Sequence, residues 1–285
     1  MIRTLFAVAA LLAASAPAAA QDAQQRIEWN RSVQPFTVVD NVHYVGMEGI
    51  AAFLVTTPEG HVLIDGGLPE SAPLILDSIK ALGFQPADVK VLLNTHAHFD
   101  HSGGLAALKA ATGAQLVASA DDRQALETGR HIGLARHEGH FPAVSVDRAV
   151  QDGDTVSLGG VVLTANVTAG HTAGCTSWSL PVAHGGRTLN VVFFCSATVA
   201  GAQLFDNTEY PDIVEDFRTT FDRLETMPAD VLLANHPGFS ELFERRERQI
   251  AGDRDALIDP PALAGLSRYL RAAFETELAR QQAAR

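Results

Sequence analysis

The six residues His96-Ala97-His98-Phe99-Asp100-His101 set the tightest demand on any fold this chain can adopt. Four of the six side chains offer imidazole nitrogen or carboxylate oxygen, the preferred donors for zinc, and they follow directly on the apolar run Val91-Leu92-Leu93. Three histidines and an aspartate exceed what one tetrahedral ion with an open position can use, so the density points to two metals. Two further histidines stand in the same kind of place. His171 follows residues 161–167 and a short Thr168-Ala169-Gly170 turn, and His236 follows Val231-Leu232-Leu233-Ala234-Asn235. A fold that brings these three strand ends to one rim lets a rigid core hold ligands drawn from distant parts of the chain. Within the hexapeptide, His96 and His98 are two apart in an extended segment and point the same way. A lone histidine beside an apolar run is ordinarily a hydrogen-bonded structural residue, but four ligand-type residues together would need too many independent polar partners for that role.

The rest of the 285 residues supplies such a frame. Residues 36–39, 42–45, 50–56 and 61–65 read as short strands, rich in Val, Ile and Phe and punctuated by Asn41, Gly49 and Pro58-Glu59-Gly60. Residues 71–82 then read as a helix closed by Gly83, 89–94 as a buried strand and 104–111 as a helix closed by Gly113. A strand at 116–119 and a short helix at 121–127 precede a polar loop region over 129–147. Strands resume at 155–158 and 161–167, and 177–194 reads as a hairpin. A helix at 213–226, a strand at 231–234 and a helical stretch over 241–282, broken at Pro260-Pro261, complete the chain. Two batches of strands, each followed by helices, imply an α/β fold in which helices cover both outer faces of two stacked sheets, an αββα four-layer sandwich in a single domain.

The first twenty residues differ in kind. Met1-Ile2-Arg3 is a short basic start, residues 5–14 are apolar, and Ala18 and Ala20 are the small residues signal peptidase needs. Residues 1–20 are expected to be a cleaved secretory signal, too short to span a bilayer, leaving 21–285 as a periplasmic domain with no membrane attachment. Formal net charge is −12, and cleavage removes only one charged residue, Arg3, so nucleic acid is not an expected partner. The two cysteines, Cys175 and Cys195, flank the hairpin. With its turn centred on Gly185, Trp178 faces Val192 and Cys175 faces Cys195, within reach of a disulfide in an oxidising compartment. Two buried thiols, or Cys195 as a metal ligand, are the competing readings.

The His-x-His-x-Asp-His segment, Gly170-His171-Thr172 and His236 resemble the pattern of the metallo-β-lactamase superfamily, over nearly all of residues 29–285. Trp29, Asp65-Gly66-Gly67, residues 170–178, Tyr210-Pro211 with Glu215-Asp216-Phe217, and His236-Pro237-Gly238 make the likeness strongest to its subclass B3 enzymes. The resemblance implies that His96, His98 and His171 hold one zinc and that Asp100, His101 and His236 hold the other. Subclass B1 enzymes carry an Arg after the motif's Asp, where this chain has His101. Glyoxalase II, phosphodiesterase and lactonase branches supply a bridging Asp after a later strand, where this chain reads Phe193-Phe194-Cys195-Ser196-Ala197-Thr198 with no acid. Ser196 and Thr198 match positions whose hydroxyls bind the substrate carboxylate.

On this likeness the expected function is a monomeric β-lactamase with two zinc ions, opening penicillins, cephalosporins and carbapenems and conferring resistance. A zinc-bound hydroxide would attack the β-lactam carbonyl, with Asp100 as the catalytic carboxylate. Asp65 is expected to support one of the metal-binding imidazoles. Some subclass B3 enzymes have an oxyanion-stabilising Tyr where this chain has Ala202. His131, His137, His140 and Phe141, in the loop that should border the cleft, either shape substrate choice or are solvated, and the second is the expectation; His43, His61 and His184 are expected to have surface or turn roles. The alternatives are a related dinuclear zinc hydrolase acting on a lactone or other ester, and a zinc-binding periplasmic protein without catalysis.

Overall fold

The computed structural model describes residues 18–134 and 140–285; residues 1–17, most of the expected signal, and His137 lie outside them. A helix, α1 (Ala18–Trp29), leads into strands β1 (Phe36–Val39), β2 (Val42–Tyr44), β3 (Phe53–Thr57) and β4 (Gly60–Ile64), then helix α2 (Ala72–Ala81) and strand β5 (Val89–Leu93). Helices α3 (Phe99–Ser102) and α4 (Leu105–Thr112), strand β6 (Gln115–Ser119), helix α5 (Arg123–Thr128) and strand β7 (Arg148–Val150) complete one sheet, whose strands lie in chain order from β1 to β7. The second sheet comprises β8 (Thr155–Leu158), β9 (Val161–Val167), β10 (Thr176–His184), β11 (Arg187–Phe194) and β12 (Val231–Ala234), in the order β12-β11-β10-β9-β8. Helix α6 (Ile213–Thr226) precedes β12, and α7 (Leu242–Ile250) and α8 (Ala262–Ala283) follow it.

Successive side chains of a strand point to opposite faces, and here both faces are apolar. In β4, Val62 and Ile64 enter the core between the sheets while Leu63 faces the helical layer of α2 and α4. In β11, Val191 and Phe193 turn inward while Val192 and Phe194 pack outward against Phe217 and Phe221 of α6 and Phe274 of α8. β12 divides in the same way, Leu233 inward and Leu232 outward. Helix α6 meets this layer with Ile213, Phe217, Thr220, Phe221 and Leu224, the spacing of one helical face. The expected four-layer αββα sandwich is therefore present in a single unit, with three apolar cores between its layers.

Two expectations about the framework change. The hairpin register is one residue away from that expected: Trp178 faces Phe193 and His184 faces Arg187, because Gly185 and Gly186 form a two-residue turn, with φ of 57° and 80°. Two consecutive left-handed residues are what a twisted hairpin needs, and this places the centre between the glycines. The cysteines sit just beyond the ladder and are still bridged, with Cα atoms 5.9 Å apart. His43 and His61, expected at the surface, are buried on β2 and β4, where both rings pack against Phe84. His184 ends β10 at the turn, 3.4 Å from Asp255, in keeping with the expected turn role.

Strand directions fix the rim. β4 and β5 are parallel, as are β11 and β12, and β9 runs with β11 because each is antiparallel to β10. The segments leaving β5, β9, β11 and β12 consequently open on one edge. Cross-links lock them: Thr176 N–H donates to Thr95 O (2.8 Å), Trp178 Nε1 to Asn94 O (3.1 Å) and Ala51 N–H to Asn235 O (2.8 Å).

Candidate metal centre

His96 and His98 leave β5 in an extended segment, and α3 then turns Asp100 and His101 back over the strand end. Ser102 Oγ donates to His96 O (2.8 Å), and Gly66 N–H donates to His101 O (2.8 Å), fixing both ends of the turn. His171 arrives from the β9 end and His236 from the β12 end, so all six expected ligands meet at one rim. Five of them are at most 8% exposed, and the His236 side chain is 25% exposed.

Hydrogen-bond partners fix where the ring protons sit. His171 Nδ1 donates to Thr198 O (2.7 Å) and His236 Nδ1 to Gly49 O (2.8 Å); a carbonyl can only accept. Thr95 Oγ1 gives its hydrogen to Asp65 Oδ2 (2.7 Å), so at 3.2 Å it accepts from His96 Nδ1. An uncharged imidazole with its proton on Nδ1 has a lone pair on Nε2. Yet His96 Nε2 and His171 Nε2 face each other at 3.1 Å, and the buried Nε2 of His98 has no hydrogen-bond partner. Lone pairs aimed together in a buried site call for a cation between them.

The second cluster repeats the arrangement with a charge added. His101 Nε2 and His236 Nε2 are 3.3 Å apart, and Asp100 Oδ2 is 3.4 Å from each. Two donors of one tetrahedral ion, each about 2.05 Å from it, stand about 3.3 Å apart, so both clusters have donor spacings that fit a divalent metal. Among the described residues, His96, His98 and His171 form one group with donor atoms within 4.8 Å, and His96, Asp100 and His101 another.

Electrostatics separate the two clusters. Burial pushes the His96 and His98 imidazoles well below the usual histidine range, helped by neighbouring rings, and lowers His171 to about 4. Burial also opposes charge on Asp100, but His101 and His236 beside it outweigh that and hold its carboxyl well below the carboxylate range. His101 is raised, because Asp100 and Asp65 overcome its burial. Asp65 Oδ2 lies 3.6 Å from His101 Nδ1, too far for a hydrogen bond, and its firm contacts are Thr95 N–H (2.7 Å) and the Thr95 hydroxyl. Its support reaches His96 through Thr95.

A cavity of about 650 Å³ opens above these residues. His98, Asp100, His171 and His236 line it along with Trp29, Phe99, Leu134 and Phe239, and Ser196 and Thr198 add hydroxyls 3.3 Å apart. Ala202 is buried in the outer core and does not line the cavity. The disulfide occupies Cys195 fully, which removes it as a metal donor.

The loop histidines correct an expectation. His140 is exposed, but His131 and Phe141 are buried rather than solvated. His131 Nε2 accepts Phe99 N–H (2.9 Å), capping the start of α3, and its ring packs against His98 with centroids 4.8 Å apart. Asp122, unmarked in the sequence, lies beneath the same turn, with Ala97 N–H donating to its Oδ2 at 2.9 Å. Neither residue belongs to a recognisable motif, because each partners a backbone N–H from a remote loop.

Comparison with known proteins agrees with this geometry. The metallo-beta-lactamase superfamily profile matches residues 45–236. A solved structure of a subclass B3 metallo-beta-lactamase from Bradyrhizobium japonicum is 44% identical, covers 90% of this chain and 98% of its own, and superposes with a TM-score of 0.87. The native metallo-beta-lactamase of Legionella gormanii is 34% identical, over 88% of this chain and 98% of its own, with a TM-score of 0.85. Among curated relatives, a hydroxyacylglutathione hydrolase of Maricaulis maris is 31% identical over 130 residues, 46% of this chain and 43% of that protein. The chain thus spans less than half the length of the first curated relatives it matches.

Proposed function

Since the chain belongs to the metallo-beta-lactamase superfamily, we propose that it is a subclass B3 enzyme, a zinc-dependent hydrolase that opens the β-lactam amide of penicillins, cephalosporins and carbapenems. The observation that carries this reading is the facing pair of Nε2 atoms of His96 and His171, 3.1 Å apart, beside a second donor cluster in the same cavity. We assign His96, His98 and His171 to one zinc and Asp100, His101 and His236 to the other. All six donors come from one chain, so a monomer completes the site.

When bound, such a metal pair supplies water activated at neutral pH and a Lewis acid for the carbonyl oxygen. The protein's own groups do the rest. Among the described residues no Lys or Arg lines the cavity, so the hydroxyls of Ser196 and Thr198 are the donors for the substrate carboxylate. Thr198 also orients His171 through its carbonyl, which ties substrate binding to ligand placement. Trp29, Phe99, Leu134 and Phe239 give the bicyclic substrate apolar walls that limit water around the reacting amide. Asp100, held ionised, orients the attacking water. As a ligand it is a poor proton carrier, so the departing nitrogen takes its proton from solvent in the open cavity.

The curated relatives favour a second reading, hydrolysis of a lactone or another ester. Against it, residues 193–198, where those relatives would supply an acid to bridge the metals, contain none, and Cys195 among them is committed to Cys175. The deciding experiment offers the purified protein a carbapenem and an acyl lactone, with chelator and then with zinc restored. We expect zinc-dependent loss of the carbapenem; lactone turnover with the carbapenem left intact would establish the second reading. We also place the mature protein in the periplasm, where it would confer β-lactam resistance, with residues 1–20 removed. Among the described residues no helix is long and apolar enough to cross a membrane. N-terminal sequencing of exported protein should begin at Gln21.

A further inference from the structure

We propose that Asp122 is a positioning residue for the metal centre, a buried carboxylate clamp that sets the distance between the loop carrying His96 and His98 and the loop carrying His171. The inference rests on the reading of those three histidines as ligands of one ion. Asp122 sits between β6 and α5 and is 4% exposed. Its Oδ2 accepts Ala97 N–H (2.9 Å) and the Thr172 hydroxyl (2.9 Å), and its Oδ1 accepts Gly174 N–H (3.0 Å). Ala97 lies between His96 and His98, and Thr172 follows His171. One carboxylate therefore grips two loops that leave strands of different sheets, β5 and β9, and is itself not among the residues lining the cavity.

The cost of this arrangement argues for a purpose. Among the described residues no cationic side chain lies within ion-pair distance of Asp122, so a buried carboxylate is held by three neutral donors alone. Burying a charge without a counter-ion is expensive, and an apolar residue would fill the space more cheaply. The chain also gives up a side chain to let the carboxylate approach: a Cβ at Gly174 would lie 2.5 Å from Asp122 N and 2.6 Å from its Cγ. Three convergent donors make a tripod, and a tripod fixes distance as well as direction. The distance at stake is the 3.1 Å between His96 Nε2 and His171 Nε2, where a few tenths of an ångström separate a fitted ion from a loose one.

Zinc affinities of the full-length mature protein, measured by chelator competition, test the clamp. Wild type should show two binding steps, and His171→Ala identifies which belongs to the three-histidine group. Asp122→Asn keeps the volume but turns one acceptor into a donor; it should weaken that step about 10- to 100-fold while leaving the other within about threefold. Thr172→Val, which removes one leg of the tripod, should weaken the same step by a few fold, and Thr172→Ser should restore it. A folded Asp122→Asn protein with both affinities unchanged overturns the clamp, and if that variant does not fold, an unchanged Thr172→Val does so. Wild type that binds no zinc overturns the ligand reading itself, a different failure.

Discussion

His96, His98 and His171 are neutral and all buried, although His98 and His171 border the cavity, whereas Asp100, His101 and His236 include a carboxylate and are half-open to solvent at His236. The first group is braced from inside the sandwich, by the Thr198 carbonyl, by Thr95 and by the disulfide beneath, where Cys195 Sγ lies 3.3 Å from Thr95 O. The second leans on the N-terminal part of the chain: His236 donates to Gly49 O, and its ring packs on Trp29 with centroids 5.2 Å apart. Gly49 N–H in turn donates to Trp29 O (3.1 Å). One proposed half-site belongs to the core and the other to a contact between the core and α1. That difference says which perturbations should strike one half and spare the other.

The largest effect is expected from His96→Ala, which removes a donor facing His171 at the centre of the three-histidine half. Carbapenem turnover should be almost entirely lost and bound zinc should fall by one per chain; near-normal rates with zinc present would break the assignment. Removing metal from the wild type comes next. With both sites saturated to about a thousand times Kd, each ion stabilises the fold by about 4 kcal/mol, so chelation should lower Tm markedly in a scanning calorimeter. An unchanged Tm would mean that the facing nitrogens need no cation. The double replacement Cys175→Ser with Cys195→Ser opens a loop of sequence separation 20 and should cost about 3 kcal/mol in denaturant unfolding. It should loosen the three-histidine half only. Smallest is Trp29→Ala, expected to weaken the open half about tenfold in chelator competition while leaving the three-histidine affinity in place. Equal weakening of both halves by Trp29→Ala would erase the contrast.

The contrast was partly legible in the sequence. The six donors could be found because each follows an apolar strand, and strand ends converge wherever sheets are stacked. Layer order could be read because the last three or four residues of β4, β5 and β11 and the whole of β12 are continuously apolar and must be covered on both faces. The hairpin register could not, since one residue of slip turns on whether one glycine or two form the turn, and Gly185-Gly186 allows both. Helix α1 carries the polar sequence AAAQDAQQRIEW, with no clear apolar stripe to announce its contact with the site. The roles of His131 and Asp122 were hidden for another reason: apart from the Thr172 hydroxyl, their partners are backbone groups of Phe99, Ala97 and Gly174, and a backbone leaves no mark in the alphabet. His43 and His61 look like exposed strand residues until Phe84, from the loop after α2, covers them.

The most direct test of two unlike half-sites is a count of zinc bound per chain by equilibrium dialysis at graded free zinc, for wild type and His236→Ala. Two ions in the wild type and one tightly held ion in the variant are the predicted result. A single ion in both proteins would contradict the account.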